Sequence, residues 1–255
     1  MTGVLPIALD RATRIVQVLL NSGKEYVCLM HLHKELEEEK IKEAFQKFSG
    51  EITQLPPIRS AVKRQERKRN VYYVDILEIE GKDILFRIGC QAGLYVRKYV
   101  HDLSKFLCCG CHMQQLVRSK AGPFNDKSMY TLHDLKDAYE FYKEENLLEK
   151  ASGKEEEIRK IILPFENAAD HLGKIWVLDG AVDPLCHGAD LYVAGVVKFE
   201  ESIKKGDLIA IFTLKNELIC IGSAEMDSEE LLKNEKGTAV KTTKVFMERG
   251  SYSKK

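Results

Sequence analysis

Cys108-Cys109-Gly110-Cys111-His112 sets three thiols and an imidazole within one short stretch, the ligand types that zinc prefers. A structural zinc site needs a second ligand pair at finger spacing, and the sequence offers none; the cluster also follows an apolar helical run directly. Buried or structural thiols, without a metal, are therefore expected here. A second concentration of chemistry is cationic. Between Pro56 and Tyr73, Arg59, Lys63, Arg64, Arg67, Lys68 and Arg69 face Glu66 as the one acid, a composition that suits either a phosphate backbone or a solvated face. Two isolated residues complete the set. Tyr26 lies in an alternating apolar stretch, and Arg97 sits beside the apolar face of a helix. Taken singly, the first reads as core and the second as a snorkelling surface residue.

The elements that hold these residues follow from periodicity. Asp10 to Leu20 reads as a helix with Ala12, Ile15, Val16 and Leu19 on one face, ended by Gly23. Lys24 to Leu32 reads as a strand, with Tyr26, Cys28 and Met30 on one side. Lys34 to Phe48 reads as a charged amphipathic helix with Leu36, Ile41, Ala44, Phe45 and Phe48 toward the core. Val71 to Glu80 and Asp83 to Gln91 pair as a hairpin around Gly81. Ala92-Gly93 opens a helix whose apolar face is Val96, Tyr99, Val100, Leu103 and Leu107. Met113 to Val117 is a short strand, and Thr131 to Glu145 a helix with Thr131 and Asp134 in capping positions.

The 255 residues are 44% hydrophobic, enough for one large or two smaller cores, and Lys+Arg balance Asp+Glu at 39 each. The neutral total leaves any basic patch a local feature. Seven cysteines in this length do not make a disulfide scaffold. No apolar run reaches the roughly 18 residues that would span a bilayer, so a soluble intracellular protein without a membrane partner is expected. The charged stretch from Glu144 to Lys160 reads as a linker or surface helix. After Pro164 short β-rich runs separated by glycine turns predict a small all-β barrel. The expected domains are therefore 1–163 and 164–255.

Several motifs now carry a family resemblance. Thr2-Gly3-Val4-Leu5-Pro6 resembles the second half of the signature G-T-L-D-P-x-V-T-G-V-L-P of RNA pseudouridine synthases, Lys24-Glu25-Tyr26-Val27 a second signature, and Gly93-Leu94-Tyr95-Val96-Arg97-Lys98 a third. Gln115-Leu116-Val117-Arg118-Ser119 is similar to the segment that closes the pocket. Gly188-Ala189-Asp190-Leu191, Lys204-Lys205-Gly206-Asp207 and Gly222-Ser223-Ala224 resemble a PUA domain, a small RNA-binding barrel. Gln54-Leu55-Pro56-Pro57-Ile58-Arg59-Ser60-Ala61, Cys109-Gly110-Cys111-His112-Met113 and Val245-Phe246-Met247-Glu248-Arg249-Gly250 narrow the likeness to the archaeal and eukaryotic, guide-RNA-dependent branch of the tRNA pseudouridine synthase B superfamily, the branch of dyskerin.

The resemblance implies an α+β fold: a catalytic domain with a mixed, mainly antiparallel sheet flanked by helices, then the PUA barrel. It implies isomerisation of uridine to pseudouridine in rRNA or tRNA, including the T-loop uridine, without a cofactor. Catalytic roles fall on Tyr26 (stacking on the flipped base and handling the C5 proton), Arg97 (pairing with the catalytic Asp) and Leu116 (apolar wall). RNA contacts fall on Arg59, Lys63, Arg64, Gly188, Ala189, Asp190, Lys205 and Gly206. The implied partners are a box H/ACA guide RNA, the substrate RNA and three small proteins of that particle, in the cytoplasm of an archaeal cell. Met1 stands where the signature has Val, so the nucleophilic Asp would fall three residues before Met1. The expectation is an N-terminally shortened chain, inactive alone, that exposes an unpaired sheet edge and apolar surface. The rival expectation is a non-catalytic RNA-binding fragment or split-gene half.

Overall fold

The computed structural model describes residues 2–57, 63–147 and 155–252, and the chain divides into two compact units, Met1–Leu163 and Pro164–Lys255. In the first unit the strands are β1 (Thr2–Gly3), β2 (Lys24–Leu32), β3 (Gly50–Gln54), β4 (Arg67–Glu80), β5 (Asp83–Cys90), β6 (Cys111–Ala121) and β7 (Phe124–Asn125). Its helices are α1 (Val16–Asn21), α2 (Glu38–Lys47), α3 (Val96–Phe106), α4 (Leu132–Leu147) and α5 (Glu155–Ile161). The sheet runs β1-β6-β2-β5-β4-β3, with β7 also on β6. Its pairings are antiparallel apart from β1 on β6.

Alternation explains the core. Cys28, Met30 and Leu32 of β2 and Ile84, Phe86 and Ile88 of β5 point to one face and are fully buried. Against them pack Ile41, Ala44 and Phe45 of α2 and Val96, Tyr99, Val100 and Leu103 of α3, each set spaced three or four residues apart as one helical face requires. Phe45 meets Phe86 edge-on at 5.0 Å. The β4–β5 hairpin closes with Glu80 opposite Asp83 and Gly81 at φ +55°, a left-handed turn position that glycine takes without strain.

Several boundaries differ from the sequence reading. Asp10–Ile15 is a 3-10 helix that leads into the short α1. It opens on Asp10 at φ +46°, and α1 has too few turns to hold itself by propensity. α2 starts at Glu38, because Glu37 before it is extended at φ −64° and ψ 138°. α3 starts at Val96, because Gln91–Tyr95 is held to the sheet. β6 is far longer than Met113–Val117, because β2 pairs along its whole length and templates it. On its other side β6 meets only β1 at Val117–Arg118 and β7 at Lys120–Ala121 among the described residues. Leu5, Ile7 and Leu9 beside that edge are 66%, 65% and 52% exposed.

The second unit comprises β8 (Gly173–Val177), α6 (Asp179–Cys186), β9 (Leu191–Tyr192), β10 (Val196–Phe199), β11 (Leu208–Thr213), β12 (Leu218–Ala224), α7 (Ser228–Lys233) and β13 (Thr238–Val245). Its strands run β10-β8-β11-β12-β13-β9, around Ile175, Val177, Ile209, Ile211, Ile219 and Val240. The unit is β-rich but not all-β as expected. α6 buries Val182, Leu185 and Cys186 at helical spacing, and α7 carries a full capping box between Asp227 and Glu230. Both helices are too short for a strong periodic signal. Among the described residues no helix is long and apolar enough to cross a membrane.

Candidate active site

Three consecutive residues of β2 send their side chains to three different tasks. The Lys24 ammonium donates to the carbonyls of Leu19, Leu20 and Ser22 at 2.9, 2.8 and 2.6 Å, closing the C-terminal end of α1 where a cation is favoured. Burial, then the nearby Arg118 charge, lowers the Lys24 pKa. Glu25 points to the opposite face of the sheet. Its carboxylate accepts from the Tyr73 hydroxyl at 2.5 Å and the Ser119 hydroxyl at 2.6 Å, with Arg87 at 4.0 Å. Burial works to raise its pKa, but Ser119, Tyr73 and Arg87 outweigh that and hold it below the usual value. The same pairing, after the cost of burial, pushes Tyr73 up to about 12.

Tyr26 points to the core face. It stands opposite Ile88 of β5 and Arg118 of β6, and Cys28 stands opposite Leu116. Directly paired residues share a face, so Tyr26, Leu116 and Arg118 form one patch. The β2–β6 ladder shifts register between Glu25 and Tyr26, with Ser119 of β6 as the extra residue. Leu116 is 9% exposed and belongs to the core cluster against which Tyr26 packs. Burial raises the Tyr26 pKa, with Cys90 adding to it, while the Arg118 guanidinium on the neighbouring strand pulls the other way.

The opening motif docks on the same arginine. Gly3 pairs with Arg118 in the β1–β6 ladder, the Val4 N–H donates to the Arg118 carbonyl at 2.8 Å, and Arg118 Nε donates to the Val4 carbonyl at 2.6 Å. Gly3 lies at φ +104°, and a Cβ there would overlap the Arg118 backbone. Glycine is thus the one residue that allows this approach. The geometry brings three of the motif segments, around Gly3, Tyr26 and Leu116, to one place.

Arg97 is the second residue of α3, exposed, and no hydrogen bond or ion pair reaches it among the described residues. A cation in the first helical turn opposes the helix dipole, so its position does not serve helix stability. Lys63 and Arg64 are exposed in the connection from β3 to β4; Arg59 lies outside the described residues. In the second unit Gly188 (φ +88°) turns the chain after α6, Asp190 Oδ1 accepts from the Thr242 N–H at 2.9 Å, and the Thr242 hydroxyl donates to the Ala189 carbonyl at 2.8 Å. Lys205 and Gly206 (φ +91°) are exposed in the turn before β11. The two turns flank different strands. Cys109 is buried, Cys111 begins β6, and among the described residues no group of His, Cys, Asp and Glu could hold a metal.

Known proteins match this chain along nearly its whole length. The model of the TruB family pseudouridylate synthase N-terminal domain matches residues 1–96, that of the tRNA pseudouridylate synthase B C-terminal domain residues 97–170, and that of the PUA domain residues 173–246. A "Probable tRNA pseudouridine synthase B" of Thermococcus onnurineus is 53% identical over 255 residues, covering 100% of this chain and 74% of that protein. The chain belongs to the TruB family of pseudouridine synthases. A Methanopyrus kandleri member is 50% identical over 254 residues, covering 100% of this chain and 73% of its own. Among solved structures, a Cbf5-Nop10-Gar1 complex contains a chain at 51% identity and TM-score 0.87, over 98% of this chain and 74% of that one. An H/ACA RNP bound to a substrate RNA containing 2'-deoxyuridine contains one at 49% identity and TM-score 0.84, over 99% and 74%. The fold is the family's: a TruB-type catalytic domain followed by a PUA domain.

Sequence reasoning passed over Lys24 and Arg118. Both lay inside motifs already singled out. Arg118 follows Leu116 by two residues, the strand period that puts both on one face, so alternation was a signal that could have found it.

Proposed function

We propose that residues 1–163 form the catalytic unit and 164–255 the RNA-docking PUA unit of a guide-directed pseudouridine synthase. The constellation that carries this reading is Arg118, which donates to the Val4 carbonyl and stands directly opposite Tyr26 in the β2–β6 ladder. Exchanging the N-glycosidic bond of uridine for a C5 bond requires a carboxylate nucleophile, a residue that handles the C5 proton, and a pocket that keeps the detached base in register. Tyr26 offers a ring face for the base and a hydroxyl for the proton. Its burial favours the neutral phenol, and Arg118 offsets part of that effect, so proton transfer becomes accessible. Leu116 walls the pocket. Arg97, exposed and unpaired among the described residues, is the cation that holds the family's Asp ionised.

The 255 residues contain no counterpart of that Asp in the signature, and this polypeptide alone is proposed to be inactive. Lys63, Arg64 and Arg59 are assigned to RNA backbone, and Gly188, Ala189, Asp190, Lys205 and Gly206 to guide recognition by the PUA unit. The described assemblies of the solved relatives support partners of the same kind: a box H/ACA guide RNA and small proteins like Nop10 and Gar1. The test uses the chain extended by the family's Asp-bearing segment, together with such proteins, on a uridine complementary to a guide and on bare tRNA. Guide-dependent product is expected from the extended chain and none from the 255 residues. Turnover by the 255 residues alone would remove the nucleophile assignment, and equal tRNA modification without guide would move the substrate to free tRNA.

A further inference from the structure

We propose that Gln54 is a positioning residue that sets the aim of Arg97 through the backbone of Tyr95; this rests on the role assigned to Arg97 above. Gln54 ends β3, and its side chain is 3% exposed. Its Oε1 accepts the Tyr95 N–H at 3.0 Å, and its Nε2 donates to the Tyr95 carbonyl at 3.3 Å. One buried amide thus satisfies both backbone groups of a single residue, as a neighbouring strand would.

Tyr95 is the N-cap of α3, extended at φ −101° and ψ 102°, and its own side chain makes no cap bond. The first N–H groups of a helix have no partner within it. Ser, Thr, Asp or Asn ordinarily supply one from the cap position, which Tyr cannot do. Here Gln54, 41 residues upstream, supplies an acceptor for the N–H of the cap residue itself, the bond that the third helical residue makes in a capping box. The Tyr95 carbonyl also accepts the Tyr99 N–H at 2.9 Å, the first bond of the helix, so Gln54 and the first turn share one acceptor.

The other end of the lead-in is held in the same way. The Gln91 N–H donates to the Asn70 carbonyl at 2.8 Å, and Gln91 Oε1 accepts the Asn70 N–H at 3.1 Å. Between them Gly93 lies at φ +82°, with the Arg69 side chain against it. Residues 91–95 are therefore clamped to β4 at one end and β3 at the other. Arg97 follows two residues later with no partner among the described residues, so its direction is inherited from the backbone of that first turn. Loss of the Gln54 clamp would let the turn fray and misplace the guanidinium without touching it.

The test compares Gln54→Met, similar in size but without either bond, with the parent in the chain extended by the Asp-bearing segment. Misplacement of about 1 Å costs on the order of 100-fold in rate. A fall in kcat of about 10- to 100-fold with unchanged KM for RNA is expected, with faster amide exchange confined to 95–97 in the 255-residue chain. In an Arg97→Lys background the Gln54 substitution should cost little more, because both act on one group. Should Gln54→Met fail to fold, Gln54→Glu keeps the shape and the acceptor while losing the donor, and the same comparison applies. Normal kcat in a folded variant, or losses that simply add with Arg97→Lys, overturns the inference while the role of Arg97 stands. Full activity of Arg97→Ala removes that role and this inference together.

Discussion

Arg118 donates to Val4 and stands opposite Tyr26, so one guanidinium anchors the opening motif and works to lower the pKa of the phenol. Burial is the larger influence on Tyr26, and it raises the pKa; the Arg118 charge lowers it. Arg118→Ala removes only the lowering influence. In the extended chain the ascending limb of the kcat profile, where the phenol loses its proton, should therefore move to higher pH, with less product at neutral pH, while Arg118→Lys moves it less. An unshifted limb in a pH–rate series would contradict the proton-handling role of Tyr26. Arg97 makes a different prediction. Stripping one partner from a desolvated ion pair typically costs about 3–5 kcal/mol, so Arg97→Ala should lower single-turnover rates by more than about 100-fold. An exposed pair is worth only about 0–1 kcal/mol; a small loss would mean that the carboxylate never buries this cation.

At the scale of elements, β2 is the hinge of the whole site, because its alternation separates Glu25 from Tyr26. Glu25 has a lowered pKa in the fold. Its contribution to stability is therefore present above the ordinary carboxylate value, about 4.3, and is lost as pH falls through the lower folded value. Melts of the 255-residue chain between pH 3 and 6 should show this acid loss. Glu25→Gln should flatten it while leaving the Tyr73 and Ser119 hydroxyls an amide to bond. An identical pH slope in the variant would place the acid sensitivity elsewhere. The hairpin, the β2 strand and the cores of α2 and α3 were legible from period alone. The extent of β6 was not, because a strand is lengthened by its neighbour's hydrogen bonds, and Cys111 and His112 carry no β signal of their own.

At the scale of the molecule, each unit has its own buried cluster. A segment with its own core should fold alone. Residues 164–255 expressed separately are expected to melt cooperatively and to bind a guide RNA carrying the H/ACA elements with a strong salt dependence. Non-cooperative unfolding monitored by circular dichroism would show that the second unit depends on the first. The charge balance of the chain could not have announced such binding, because acidic stretches offset the basic run.

From the amino acids alone came the strand of Tyr26, the helix bearing Arg97, the PUA-like turns at Gly188 and Gly206, and part of a family signature at Thr2–Pro6. These are local: a period, a turn residue or a motif suffices to state them. The union of Gly3, Val4, Tyr26 and Arg118, the clamp of Gln54 on Tyr95 and the Glu25 network with Tyr73 and Ser119 belong to the tertiary structure. Their partners lie tens of residues apart, and strand register alone decides which side chains meet.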